Sequence, residues 1–304
     1  MEKTIPSGVY PTMITPYTTD NKIDFNAVEQ LLDWYHKKGV AGVFALCQSS
    51  DIWIMDFEER LALLKFIMAH KPAGMTVIAS GHTADDLDRQ IYEAKAFVDT
   101  GIDSYVFISN RFAKPGESDD VFLKNMDYVA SSLPDVGLGV YECPHGYNWQ
   151  LTPYALKKMA ASGRYQFLKD TSCDPVKVKA KLEAVQGSNL KIFNANAAML
   201  LETLYMGCAG FSGVMANFFP DLFTELCNVY QTDPEKARKL QAFLGFSSLA
   251  ECQVYSVNAR YFLSLEGLDI NLDNRTRDKA QLNLNAKEQI REMREAAIYF
   301  KSTL

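Results

Sequence analysis

From the N-terminus to about residue 230, short apolar runs alternate with longer amphipathic stretches. The apolar runs cover 8–14, 42–47, 75–80, 104–108, 136–142, 165–169, 190–193 and 210–215. Several are apolar without strict alternation, as strands buried on both faces of a parallel sheet are. The stretches between them repeat apolar residues at helical spacing; 25–38 does so with Val28, Leu31, Leu32 and Tyr35. Further helices are predicted over 56–70, 85–100, 119–132, 152–162, 175–186, 197–206 and 220–230, with Asp24 and Asp56 as N-caps of the first two. Eight strand–helix units joined by crossovers predict an α/β fold, a (β/α)8 TIM barrel over residues 1–230. A doubly wound open sheet is the alternative, but the segment after the first run has no glycine-rich phosphate loop. Past residue 230 the strand signals stop, and 233–249, 249–265 and 286–301 read as helices, making 231–304 a C-terminal helical appendage.

Composition narrows the function classes. The 304-residue chain is 48% hydrophobic and 22% charged, with a formal net charge of −6 and no basic run, so it lacks the positive stripe that nucleic acid requires. Six cysteines are widely spaced and none forms a C-x-x-C pair, which fits free thiols in a reducing compartment better than a disulfide framework. No apolar run approaches the roughly 18 residues of a membrane span. A soluble cytoplasmic protein is the expectation. No His, Cys or Asp cluster has metal-ligand spacing.

In such a barrel the chemistry lies at the carboxyl ends of the strands. That rule selects Thr15, Cys47 to Asp51, Gly81 and His82, Asn110 to Phe112, Tyr141 to His145, Lys169 to Cys173, Asn194 to Asn196, and the residues from Ser212 onward. Lys169 ends the apolar run Tyr165, Gln166, Phe167, Leu168. Burial lowers a lysine pKa, and a neutral amine can attack a ketone to form an imine that serves as an electron sink. The competing reading pairs Lys169 with a carboxylate such as Asp170. Tyr141 ends the fifth run, as a proton shuttle or as a barrel-lining phenol bonded to backbone.

Tyr141, Glu142, Cys143 and Pro144 match a Tyr-x-x-Pro motif, Phe167 to Ser172 a lysine strand, and Gly207, Gly210 and Gly213 a Gly-x-x-Gly-x-x-Gly strand. In this order and spacing, and with Thr15-Pro16 after the first run, the chain resembles the dihydrodipicolinate synthase / N-acetylneuraminate lyase family over nearly its whole length. These are class I pyruvate aldolases on a (β/α)8 barrel. The resemblance implies Lys169 as the imine lysine, Tyr141 as proton shuttle, and Ser49 as a further relay hydroxyl. It places the family's Gly-Thr-Thr-Gly-Glu loop, which holds the pyruvate carboxylate, on Cys47, Gln48, Ser49, Ser50 and Asp51; both glycines are replaced. It also implies a small 2-oxo acid as substrate, no cofactor, since the lysine supplies the electron sink, and a homo-oligomer, a tetramer or a dimer.

The departures bear on the substrate. Dihydrodipicolinate synthases carry an arginine two residues after the motif proline; here that residue is Gly146, which argues against the lysine-biosynthetic reaction. Their tyrosine from the neighbouring subunit corresponds to Phe112. Arg111 beside it is read as a substrate carboxylate or hydroxyl ligand, or else as part of a subunit contact. Asn194 and Asn196 fall where the lyases hold polyol hydroxyls, with helix capping as the alternative, and Phe211 on the last strand is placed against substrate. The reading is a Schiff-base lyase that cleaves or condenses a 2-oxo acid with pyruvate as product or substrate. A dehydratase acting on a 2-oxo sugar acid through the same lysine remains open. So does a non-catalytic barrel that binds an oxo acid or serves assembly; the altered loop and Phe112 favour it, and the Tyr141–Lys169 pair opposes it.

Overall fold

The computed structural model describes residues 4–304. Eight parallel strands form one sheet: β1 (Gly8–Val9), β2 (Gly42–Ala45), β3 (Thr76–Ala79), β4 (Ser104–Ile108), β5 (Gly137–Tyr141), β6 (Tyr165–Asp170), β7 (Lys191–Asn194) and β8 (Gly210–Phe211). Each pairs with its sequence neighbour, and β1 pairs with β8. The seam between β1 and β2 is joined just beyond β1, where Phe44 N–H donates to the Pro11 carbonyl at 2.9 Å and Met13 N–H to the Phe44 carbonyl at 3.0 Å. The sheet is thus a nearly closed (β/α)8 barrel, as the alternation of runs predicted.

Helices α1 (Phe25–Lys37), α2 (Phe57–His70), α3 (Leu87–Val98), α4 (Asp119–Ser131), α5 (Pro153–Ala161), α6 (Pro175–Ala184), α7 (Leu200–Met206) and α8 (Pro220–Val229) follow the strands in turn. Asp24 and Asp56 do cap their helices: each carboxylate accepts from the amide three residues on, Ala27 at 3.1 Å and Glu59 at 2.8 Å. The chain ends in α9 (Pro234–Ser247), α10 (Val257–Leu265) and α11 (Leu284–Ser302). The sequence pattern ran a helix from 249 to 265, but helical structure is interrupted between Cys252 and Val257. There the Asn258 side chain donates to the Ala250 carbonyl at 2.8 Å, and Gln253 is extended. A side chain that competes for a backbone acceptor in this way breaks the i→i+4 ladder. Among the described residues no helix is long and apolar enough to cross a membrane.

The barrel centre is aromatic. Phe167 packs against Tyr10, Phe44 and Phe193 with ring centroids 4.7–5.9 Å apart. Two glycines make room for these rings: a Cβ on Gly139 would lie 3.0 Å from Phe167, and one on Gly42 would lie 2.7 Å from the Tyr10 ring. Side chains alternate along a strand, so Lys169 shares the inward face of Phe167 while Asp170 faces the helices. There Asp170 and Glu142 both meet Lys181 of α6 at 2.5 Å, all three buried. Glu142 also accepts from the amides of Leu151 and Thr171, at 2.8 and 3.1 Å. Burial disfavours the Lys181 charge, yet the two carboxylates hold its pKa above the ordinary lysine value.

Removing one member of such a cluster strands buried charge. Lys181→Met is therefore expected to cost about 3–5 kcal/mol, read as a lower urea midpoint; a loss below about 1 kcal/mol would show that the cluster does not tie β5, β6 and α6 together. A second expectation concerns acid. His82 is fully buried and its Nε2 accepts from the Ile108 amide at 2.7 Å. Burial, with the Arg111 and Arg60 charges adding to it, pushes its pKa from 6.5 to about 3. Between those values the unfolded chain binds a proton that the folded chain refuses, so stability falls as pH drops below 6.5, by up to about 1.4 kcal/mol per pH unit. Urea titrations at stepped pH should show this slope in the native protein and a shallower one in His82→Gln, which keeps an acceptor for Ile108 but cannot titrate.

Candidate functional site

A cavity of about 720 Å³ opens at the carboxyl end of the strands. Its floor is Lys169 and Tyr141, and one side is the turn Gln48–Ser50 that follows β2. Lys169 is buried, with Nζ 4.3 Å from the Tyr141 ring centroid and 5.9 Å from that of Phe44. Among the described residues no carboxylate pairs with it, because Asp170 is taken by Lys181 on the other face of β6. Burial pushes the Lys169 pKa down, against the opposing pull of Cys47, Cys143 and Glu251. The Tyr141 hydroxyl donates to Gln48 Oε1 at 3.5 Å, and burial raises its pKa, so the phenol keeps its proton. The floor thus juxtaposes an amine biased toward its neutral form and a protonated phenol.

The turn after β2 holds its shape without the glycines. Cys47 is extended at φ −115° and Ser50 lies in a 3₁₀ turn, so neither position needs a glycine. The left-handed residues are instead Leu46 at φ 51° and Asp51 at φ 62°. Such conformations cost energy in a non-glycine residue and collect at functional sites. Ser50 is consumed locally: its hydroxyl donates to the Met13 carbonyl at 2.7 Å and accepts from Cys47 N–H at 3.1 Å. Ser49 reaches the cavity and donates to Thr12 Oγ1 at 3.3 Å.

Arg111, Asn194 and Phe211, singled out in the sequence, do not line the cavity. Arg111 pairs with Asp85 at 2.7 Å and lies 5.2 Å over the Trp53 ring, whose indole stacks on His145 at 4.3 Å. It therefore supports a cavity wall through Trp53. Asn194 is occupied at both ends, donating to Thr203 at 2.8 Å and accepting from the Asn196 amide at 2.7 Å, while Asn196 caps Ala198 at 2.9 Å. Of these two amides Asn196 alone reaches the cavity. Phe211 is fully buried and stacks on Phe223 at 4.0 Å. Buried Cys47 and Cys143 have their thiol pKa values raised by burial, which makes both poor nucleophiles.

What sequence reasoning missed is the far wall, built by the chain beyond α9: Ser248, Glu251, Gln253, Tyr255, Thr276 and Arg277. Tyr255 sits within hydrogen-bonding reach of Ser49 and Thr12, and Asn217 donates to its hydroxyl at 3.0 Å. Arg260 of α10, fully buried, donates to the Thr15 carbonyl at 2.6 Å and stands 3.8 Å from Asp51. Thr276 donates to the same Asp51 carboxylate at 3.2 Å. The signal in the sequence was the polar set Glu251, Gln253 and Ser256 interrupting an otherwise apolar helical pattern.

The dihydrodipicolinate synthetase family model matches residues 5–267. The chain belongs to that family. A 4-hydroxy-tetrahydrodipicolinate synthase of Clostridium perfringens is 25% identical over 252 residues, 83% of this chain and 84% of that protein. A prophage protein of E. coli K12 belonging to the dihydrodipicolinic acid synthase family, solved in complex with pyruvate, superposes with a TM-score of 0.86 at 21% identity, covering 95% of this chain and 98% of the other. A catalytic-lysine mutant of Ruminococcus gnavus sialic acid aldolase gives 0.86 at 20% identity, covering 98% and 97%. At these identities the structural likeness speaks for the fold.

The surroundings of Lys169 predict its titration. Trace acetylation with acetic anhydride across a pH series, followed by mass spectrometry, should give Lys169 a midpoint below the ordinary lysine value of 10.5, with exposed lysines outside ion pairs as internal references. A midpoint at or above that value would remove the basis for a neutral amine in the folded site.

Proposed function

We propose that this protein is a Schiff-base-forming lyase that acts on a 2-oxo acid through Lys169. The observation that carries the reading is a buried lysine amine, free of any carboxylate partner among the described residues, against the Tyr141 ring at the floor of the cavity. The family, the pyruvate held by the E. coli relative and the catalytic lysine of the Ruminococcus aldolase support it.

The neutral amine attacks the 2-oxo carbon and forms a carbinolamine. Tyr141 supplies the proton with which the carbinolamine oxygen leaves as water, and the iminium draws electrons from C3. Breaking the C3–C4 bond then releases an aldehyde and leaves an enamine, which hydrolyses to pyruvate after protonation; condensation runs the same steps in reverse. The substrate carboxylate lies toward the Gln48–Ser50 turn, with the Ser49 hydroxyl as relay. Dehydration of a 2-oxo sugar acid would begin from the same iminium. The dihydrodipicolinate synthase reaction fits less well: Gly146 occupies the arginine position at φ 82°, a left-handed conformation that an arginine side chain disfavours.

Incubation with pyruvate and borohydride is expected to leave a reduced pyruvyl adduct on Lys169, located by peptide mass spectrometry and lost in Lys169→Ala. A folded protein that gives no adduct with pyruvate or with longer 2-oxo acids would overturn the assignment.

A further inference from the structure

Resting on the Schiff-base reading, we propose that Tyr255, contributed by the chain beyond the barrel, donates its phenolic proton to the substrate carboxylate, so that the anion is held between Ser49 of the barrel and Tyr255 of the C-terminal chain. The starting point is what the turn after β2 offers by itself. Ser50 is already engaged: its hydroxyl donates to the Met13 carbonyl at 2.7 Å and its amide to the Cys47 carbonyl at 2.9 Å. The Ser49 amide is directed at the Cys47 sulfur, and Gln48 Oε1 accepts from Tyr141 and Cys143, each at 3.5 Å. The hydroxyl left to the cavity is that of Ser49. Its bond to Thr12 Oγ1 is 3.3 Å, longer than the roughly 2.5–3.0 Å of an ordinary O–H···O bond, and so readily exchanged for a better acceptor. A carboxylate presents two oxygens and accepts only; a second donor beside Ser49 completes its seat.

Tyr255 lines the same cavity as Ser49 and Lys169, and its hydroxyl is within reach of the Ser49 and Thr12 hydroxyls. The direction of its proton is set from behind. Buried Tyr35 donates to Asn217 Oδ1 at 2.5 Å. That contact turns the buried amide so that Nδ2 donates to the Thr12 carbonyl, the Val214 carbonyl and the Tyr255 oxygen, each at 3.0 Å. An amide nitrogen does not accept, so the Tyr255 proton points away from Asn217, toward Ser49, Thr12 and the cavity. Burial raises the Tyr255 pKa, and the phenol keeps that proton.

The position suits the chemistry. In a 2-oxo acid the carboxylate is bonded to the very carbon that Lys169 attacks, so its seat must adjoin the lysine. Tyr141, whose ring centroid is 4.3 Å from Lys169 Nζ, is near enough for a charge on Tyr255 to act on its phenol. Tyr255 also stands on an anchored segment: Gln253 Nε2 donates to Gln289 of α11 at 2.7 Å, and Arg260 reaches the Thr15 carbonyl at 2.6 Å. A donor oriented before the ligand arrives loses little freedom on binding it. The C-terminal chain thereby selects for charge: a 2-oxo compound without the carboxylate loses the Tyr255 contact.

The test compares the native protein with Tyr255→Phe, which removes the hydroxyl and keeps the ring. Borohydride trapping is run over a concentration series of pyruvate and of its methyl ester, which keeps the 2-oxo group and lacks the charge. Calorimetry with lactate, which has the carboxylate and no carbonyl, reads the anion seat without imine chemistry. A hydrogen bond to a charged group contributes about 10- to 100-fold in affinity. In Tyr255→Phe the half-saturating pyruvate concentration and the lactate dissociation constant should therefore both rise by about 10-fold or more, with the ester within a few-fold of native. Pyruvate half-saturation within a few-fold of native overturns the proposal, and so does lactate binding that the variant leaves unchanged. An equal rise for pyruvate and ester also overturns it, since that would mark a general disturbance of the cavity. Native protein that binds lactate, with the variant weakened, but traps no 2-oxo acid would support the anion seat and strike the Schiff-base reading beneath it. Native protein that neither traps pyruvate nor binds lactate would overturn both.

Discussion

The two-residue alternation along β6 is the constraint on which the site depends. It sends Phe167 and Lys169 into the barrel and Asp170 out to the helices, so that adjacent residues of opposite charge never meet. Asp170 finds Lys181 on the outside, and Lys169 is left above an aromatic floor with no counter-charge. Had Asp170 shared the inward face, the pair would have stabilised the ammonium and opposed the neutral amine that the proposed reaction needs. The outer cluster of Glu142, Asp170 and Lys181 holds the ends of β5 and β6 in register, and those ends carry Tyr141 and Lys169.

The floor of the cavity belongs to the barrel, and its far wall does not. That wall comes from the chain beyond the barrel, fastened by buried Arg260 reaching back to the Thr15 carbonyl and to Asp51. Asp51 follows the turn that carries Gln48 and Ser49, so one clamp positions both that turn and the segment bearing Glu251 and Tyr255. The C-terminal chain is thus part of the cavity. In the proposed reaction, its residues Tyr255 and Arg277 bear on which 2-oxo acid the cavity accepts, and the floor carries the imine chemistry.

The barrel was legible in the order of residues because its determinants are local. Runs buried on both faces, amphipathic helices with Asp24 and Asp56 as caps, and the change of pattern near residue 230 all reflect periodicity, which the sequence carries directly. The type and position of Lys169 and Tyr141 at strand ends were legible for the same reason. The partner of Lys169 was not, since sequence adjacency suggested Asp170 and the pleat separates the two. Arg111, Asn194 and Phe211 were picked for their strand-end positions, and their side chains turned out to be committed to Asp85 and Trp53, to Thr203 and Asn196, and to Phe223.

By itself the sequence determined the barrel, the family and the lysine–tyrosine pair, because each rests on spacing along one stretch of chain. Only the tertiary structure decided that Lys169 has no carboxylate partner and that Glu251 and Tyr255 face it. The first turns on Asp170 meeting Lys181 across the outer face of β6, and the second on bringing together residues 80 or more positions apart by packing the last helices on the barrel mouth, an approach that no local period encodes.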